Sequence, residues 1–125
     1  TEIYTLSLHD ALPISLRRIS AEGRLFDIVV VDPPSFAKSS SEAPSALKSY
    51  GRLARAALKV LRPAGTLVFE SCSSRVGADA LFDAIHAVAN ESGRPLTEIR
   101  RTSHAPDHPA KFKESSYLKC LYATA

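Results

Sequence analysis

The run Phe26–Val31 (FDIVVV), cut off by Asp32-Pro33-Pro34, constrains this chain more than any other stretch. Three consecutive valines leave no polar face, and a strand apolar on both sides belongs in the middle of a parallel sheet with helices on each face. The two prolines end it, because proline brings no N–H to the ladder. Beyond the prolines, helical and strand patterns alternate. Ser45–Leu61 places Leu47, Tyr50, Ala54, Ala57, Leu58 and Leu61 on one face at helical spacing, and Pro63-Ala64-Gly65 turns the chain. Thr66–Phe69 reads as a second buried strand opening into Glu70-Ser71-Cys72-Ser73-Ser74. Gly77–Asn90 reads as a helix stopped by Gly93 and Pro95, and Leu96–Arg101 as a half-exposed strand. Tyr117–Tyr122 reads as a final antiparallel strand at an edge. Upstream, Leu16–Ala21 is the end of a helix stopped near Gly23.

Strand–helix alternation predicts an α/β layered fold with right-handed crossovers, a mostly parallel sheet carrying one antiparallel strand. Ligands of such sheets bind beyond the carboxyl ends of the strands. The segments leaving those ends are Asp32–Lys38 and Glu70–Arg75, and both carry unusual chemistry.

In the first, Pro33 and Pro34 stiffen the turn, and their carbonyls, unused by any ladder, can accept hydrogen bonds from an amine or ring N–H. Asp32 adds a carboxylate acceptor. Phe36 offers a ring face for stacking, worth about 1–3 kcal/mol per base where one stacks. The competing reading is a rigid turn in which Asp32 bonds local N–H groups. In the second, Cys72 at a strand's carboxyl end is a candidate nucleophile. Carbon 5 of cytosine is too weak a nucleophile to take a methyl group directly, and a thiolate adding at carbon 6 activates it. The competing reading is a small buried apolar side chain. Cys120, between Lys119 and Leu121, reads as packing. The two cysteines lack metal-ligand spacing, so no metal is expected. His104 and His108 flank Asp107 in a proline-rich loop and read more readily as exposed than as site residues. The stripe Lys48, Arg52, Arg55, Lys59, Arg62 reads as a solvated helix face, whereas Lys38, Arg75, Lys111 and Lys113 are better placed to meet phosphates.

A length of 125 residues suits one domain. No apolar run approaches the roughly 18 residues of a membrane span, so no membrane partner is expected, nor is a signal peptide apparent. Two cysteines are too few for a disulfide scaffold, which points to a reducing, cytoplasmic setting. Thr1–Ser15 holds Glu2 and Asp10 and no Lys or Arg, so all 16 basic residues face 11 acidic ones over residues 16–125, a surplus of five suited to a polyanion. That leader (TEIYTLSLHDALPIS) resembles a translated sequencing adapter and is set aside as non-native, the alternative being a genuine strand and turn. The five glycines are isolated, so no glycine-rich cofactor loop is present.

FDIVVVDPPSFAKS (Phe26–Ser39), LRPAGTLVFESCSS (Leu61–Ser74), APDHP (Ala105–Pro109) and ESSYLKCL (Glu114–Leu121) together resemble the bacterial 23S rRNA cytosine-5 methyltransferases that carry a PUA domain. The likeness spans residues 16–125. It implies the C-terminal half of a Rossmann-like class I methyltransferase fold, with S-adenosyl-L-methionine as cofactor and ribosomal RNA as partner. It implies too that the PUA domain and the glycine-rich half are missing, so that residues 16–125 form a partial domain with little activity of its own. By that resemblance Asp32-Pro33-Pro34 lies beside the methyl donor and the target base, with Asp32 and Cys72 as the catalytic candidates, and Asp107-His108-Pro109 matches a loop near the active edge whose role it leaves open; Ser35, Phe36, Lys38, Arg75 and His108 are the residues expected to meet the substrate. Two readings compete with cytosine-5 chemistry: methyl transfer to a base amino group using Asp32-Pro33-Pro34 without a nucleophile, and a non-catalytic RNA-binding piece.

Overall fold

The computed structural model describes residues 1–6, 12–104 and 117–125. Its elements run β1 (Ile3–Leu6), α1 (Leu12–Ala21), β2 (Phe26–Val31), a short 3-10 turn (Ser40–Glu42), α2 (Ala43–Val60), β3 (Leu61–Ser71), α3 (Ala78–Glu91), β4 (Thr97–Thr102) and β5 (Lys119–Thr124). They form one five-stranded sheet in the order β1-β2-β3-β5-β4. β1, β2 and β3 pair in parallel, and β5 runs antiparallel to both β3 and β4, so one strand of the five opposes the rest. The mostly parallel α/β sheet with an antiparallel strand is the expected architecture. Ile3–Leu6, within the segment set apart as a leader, occupies the outer parallel position beside β2.

Alternation along the strands sorts the sheet into two unlike faces. Val29, Val31, Leu67, Phe69, Leu121 and Ala123 are fully buried and point to one side. α2 packs over them, its Tyr50 ring meeting Phe69 edge-on at 6.2 Å, with α1 and α3 at its flanks. The residues between, Ile28, Val30, Thr66 and Val68, are only half-buried. The expectation that β2 is covered equally on both faces therefore holds for one face alone.

Two strands differ from expectation. β5 is interior, between β3 and β4, because alternating apolar residues report a buried face and say nothing of how many neighbours a strand has. β4 takes the edge instead and is exposed almost throughout, with Ile99 60% accessible. β3 also begins earlier than Thr66. The expected turn, Pro63-Ala64-Gly65, runs within it as an irregularity, with Ala64 at φ 63°. Gly65 is required there, since a Cβ would lie 2.8 Å from the Arg62 carbonyl and 2.9 Å from that of Asp27.

Candidate functional site

Because Val31 lies opposite Phe69, the next residues, Asp32 and Glu70, leave adjacent parallel strands side by side. Their carboxyl groups are hydrogen-bonded to one another. Partial burial, then the negative charge of Asp32 and that hydrogen bond, hold the Glu70 carboxyl above its ordinary range. The sequence pattern puts Glu70 at the opening of a loop; it is the penultimate residue of β3. Across the ladder it faces the buried Cys120, whose thiol burial pushes up, in keeping with the packing reading of that residue.

A hydroxyl network ties the two loops together. Tyr50, an apolar-face residue by its spacing, is 0% exposed, and its hydroxyl oxygen accepts from the Phe36 backbone N–H at 3.4 Å and from the Ser71 hydroxyl at 3.1 Å. Ser71 Oγ in turn accepts from the Ser73 N–H at 3.2 Å, and Ser73 Oγ from the Arg75 N–H at 3.3 Å. Ser71 and Ser73 are themselves fully buried. Lys119, at the start of β5 and opposite Ser71, donates its ammonium to the Ser73 carbonyl and to the Tyr117 carbonyl at 3.3 Å. The residue between the two buried serines, Cys72, carries a free, exposed thiol. An accessible sulfur thus stands on a turn whose flanking residues are held from within the core.

The other predicted residues divide. Asp32 and Pro34 are half-buried and Pro33 is buried. Ser35 is exposed and donates its hydroxyl to the Ala37 carbonyl at 3.0 Å, closing the turn. The Phe36 ring leans on Tyr50, 4.8 Å between centroids, so packing engages the ring that the loop was expected to offer for stacking. Lys38 and Arg75 are exposed at the same edge. His104 has a local role: its Nε2 accepts from the N–H groups of Tyr117 and Leu118 at 3.1 and 3.2 Å, binding the end of β4 to the start of β5. His108, with Asp107, Lys111 and Lys113, lies outside the described residues. Glu70, Tyr50 and Lys119 are the residues that sequence reasoning passes over.

A cavity of about 830 Å³ opens elsewhere, between α1 and α2, with Arg17, Arg52, Arg55 and Lys59 on its walls and Phe36 at one end. Part of the basic helix stripe therefore lines a groove. Among the described residues no cluster of His, Cys, Asp or Glu could hold a metal ion, and no helix is long and apolar enough to cross a membrane.

No family model matches the chain. It is 40% identical over 100 residues to a ribosomal RNA large subunit methyltransferase of Deinococcus radiodurans, covering 80% of this chain and 24% of that protein. It is 39% identical over 110 residues to ribosomal RNA large subunit methyltransferase I of Shewanella amazonensis, covering 86% and 28%. The chain thus spans about a quarter of the length of the curated relatives it matches. Among solved structures it is similar to a candidate methyltransferase crystallised with SAH, at TM-score 0.70 and 20% identity over 91% of this chain and 30% of the other. That likeness fixes the fold as Rossmann-like, of the class I methyltransferase kind.

Proposed function

We propose that this chain forms the strand-end loops of an S-adenosylmethionine-dependent methyltransferase that modifies carbon 5 of a cytosine in large-subunit ribosomal RNA, with Cys72 as the nucleophile. The observation that carries the reading is the exposed Cys72 thiol on an internally braced turn at the carboxyl edge, one strand from Asp32-Pro33-Pro34. The names of the relatives supply the RNA and the methyl transfer; the cytosine and the carbon 5 position rest on the cysteine.

The residues fit the cofactor chemically. S-adenosylmethionine supplies an electrophilic methyl group on a cationic sulfonium, and the hydrogen-bonded Asp32–Glu70 pair gives this edge the complementary charge. Asp32, Pro33 and Pro34 are the residues assigned to hold that group, with the proline carbonyls as acceptors for a base amine. Cys72 bonds through sulfur to carbon 6 of the ring, and the electron pair of the 5–6 double bond moves to carbon 5. Methyl transfer would use that pair to form the bond at carbon 5, the S–CH3 bond breaking to leave a neutral thioether, and the carbon-5 proton then passes to the carboxyl pair. The electrons left behind restore the double bond, and the sulfur departs as thiolate. Exposed Ser35, Lys38 and Arg75 are assigned to the RNA strand. A reducing cytoplasmic setting suits a free thiol with this task.

A second reading, transfer to a base amino group, needs Asp32 and the proline carbonyls and leaves Cys72 idle. A trapping experiment separates the two. The full-length protein containing this chain, incubated with S-adenosylmethionine and 5-fluorocytidine-substituted 23S rRNA, is expected to form a covalent protein–RNA complex. Fluorine at carbon 5 blocks the proton loss that would release the enzyme. Cys72→Ala is expected to abolish that complex; methylation of unmodified RNA that survives Cys72→Ala overturns the cytosine-5 reading in favour of the second.

A further inference from the structure

We propose that Lys119 is the counter-charge of Cys72, a positioning residue whose buried ammonium braces the cysteine turn and steadies negative charge on the sulfur. The inference rests on the reading of Cys72 as a nucleophile and adds a group to it. Lys119 is 6% exposed, an unusual state for a lysine. Its hydrogen bonds go to two backbone carbonyls, of Ser73 and Tyr117, and among the described residues no carboxylate lies within ion-pairing distance of it. A buried ammonium satisfied by neutral acceptors alone is costly, and its natural complement is an anion arriving beside it.

The topology says where that anion would stand. β5 is antiparallel, so its first residue sits at the carboxyl edge of β3, where Lys119 pairs with Ser71. The side chain then reaches the carbonyl of Ser73, so that its contacts bracket Cys72 on both sides. Burial favours the neutral amine, and the hydrogen bond to the Ser73 carbonyl holds the nitrogen at the residue that follows Cys72. When the thiol loses its proton to water, the sulfur carries the charge that Lys119 lacks. When the sulfur bonds to carbon 6 that charge moves into the ring, and it returns to the sulfur on release. The ammonium therefore favours the nucleophile both before attack and as leaving group, without touching the substrate.

The test compares two alkylating reagents on the full chain, iodoacetate, an anion, and iodoacetamide, which is neutral, with Cys72 followed as its own peptide by mass spectrometry. A nearby buried cation favours the anionic reagent, whereas mere bracing of the turn alters both rates alike. In the folded protein the iodoacetate-to-iodoacetamide rate ratio at Cys72 is expected to be roughly fivefold above its value in urea. Lys119→Met is expected to return it to the unfolded value. Arg75→Gln, removing an exposed charge from the same loop, is expected to change it less than about twofold. A ratio that Lys119→Met leaves unchanged in folded protein overturns the inference. Should that variant fail to fold, equal ratios in folded and urea-unfolded wild type overturn it instead. Failure of the RNA trapping experiment with the ratio shifted as expected would count against the cytosine-5 chemistry and leave the Lys119–Cys72 pairing supported.

Discussion

Arg94 and Lys119 are cations drawn in towards opposite edges of the same sheet, and they finish their hydrogen bonding differently. At the edge where β2 and β3 begin, Arg94 gathers four carbonyls: those of Leu58 and Leu61, the latter at 2.6 Å, that of Arg62 at 2.8 Å and that of Ala125 at 3.3 Å. These belong to the last turn of α2, the start of β3 and the residue after β5. A planar fork with five donors suits such a clamp, and a cation at the C-terminal end of a helix also complements its dipole. At the other edge Lys119, a compact point charge, meets two carbonyls, one of them on the residue that follows the exposed Cys72. One edge is closed on itself; the opposite one is braced from behind and open in front. An α/β sheet divides labour in this way because the loops at the carboxyl ends are free to carry chemistry once the rest holds the strands still.

The difference can be broken at either edge. The largest effect is expected from Arg94→Met, which orphans carbonyls at the junction of three elements and should cost about 3 kcal/mol. Urea unfolding would show a lower midpoint with an unchanged slope, while the reagent ratio at Cys72 stays at its wild-type value. A shifted ratio would show that the two edges are coupled. Next comes Tyr50→Phe. It removes one acceptor shared by Phe36 and Ser71 and should cost about 1–2 kcal/mol, but its mark is at the site: the turn loosens, and Cys72 alkylation by both reagents changes together. Unaltered alkylation would mean the hydroxyl network does not brace the cysteine.

The smallest effect is expected away from both edges. Arg101 and His86 hold the Glu98 carboxyl down to about 2 from an ordinary 4.5, Arg101 through bonds of 2.7–3.1 Å and His86 at 2.6 Å. A carboxyl lowered on folding stabilises the fold fully above its unfolded value, and that stabilisation disappears as pH falls through the folded one. The melting-temperature difference between wild type and Glu98→Gln should therefore be present above pH 4.5 and shrink towards pH 2. For so exposed a cluster it should correspond to less than about 1 kcal/mol. A constant difference would show that Glu98 acts by packing.

Much of this arrangement is legible in the residues. FDIVVV announces its own burial, α2 begins at Ala43 where spacing points to Ser45, and both strand ends fall at the prolines and serines that mark them. What spacing cannot carry is partnership. Tyr50 fits an apolar stripe, and nothing in the stripe tells that its hydroxyl meets two loops. Lys119 sits in an alternating segment that would look the same with its ammonium in water. The exposure of Cys72 is an even choice from its neighbours, since serines can flank a thiol either to solvate it or, as here, to be buried themselves. The pattern of β5 suggests a border position because one-dimensional alternation does not count neighbours.

That interior place of β5 bears on how the molecule is made. Both strands it joins precede it in the chain, so while a ribosome is still extending the polypeptide, β3 and β4 emerge with nothing between them. Thr66 must wait for Thr124 to find its partner, a long closure that slows folding. Until β5 arrives, the unpaired backbone of β3 is open to strands of other nascent chains, and the lysine beside the cysteine is the first residue of that late arrival.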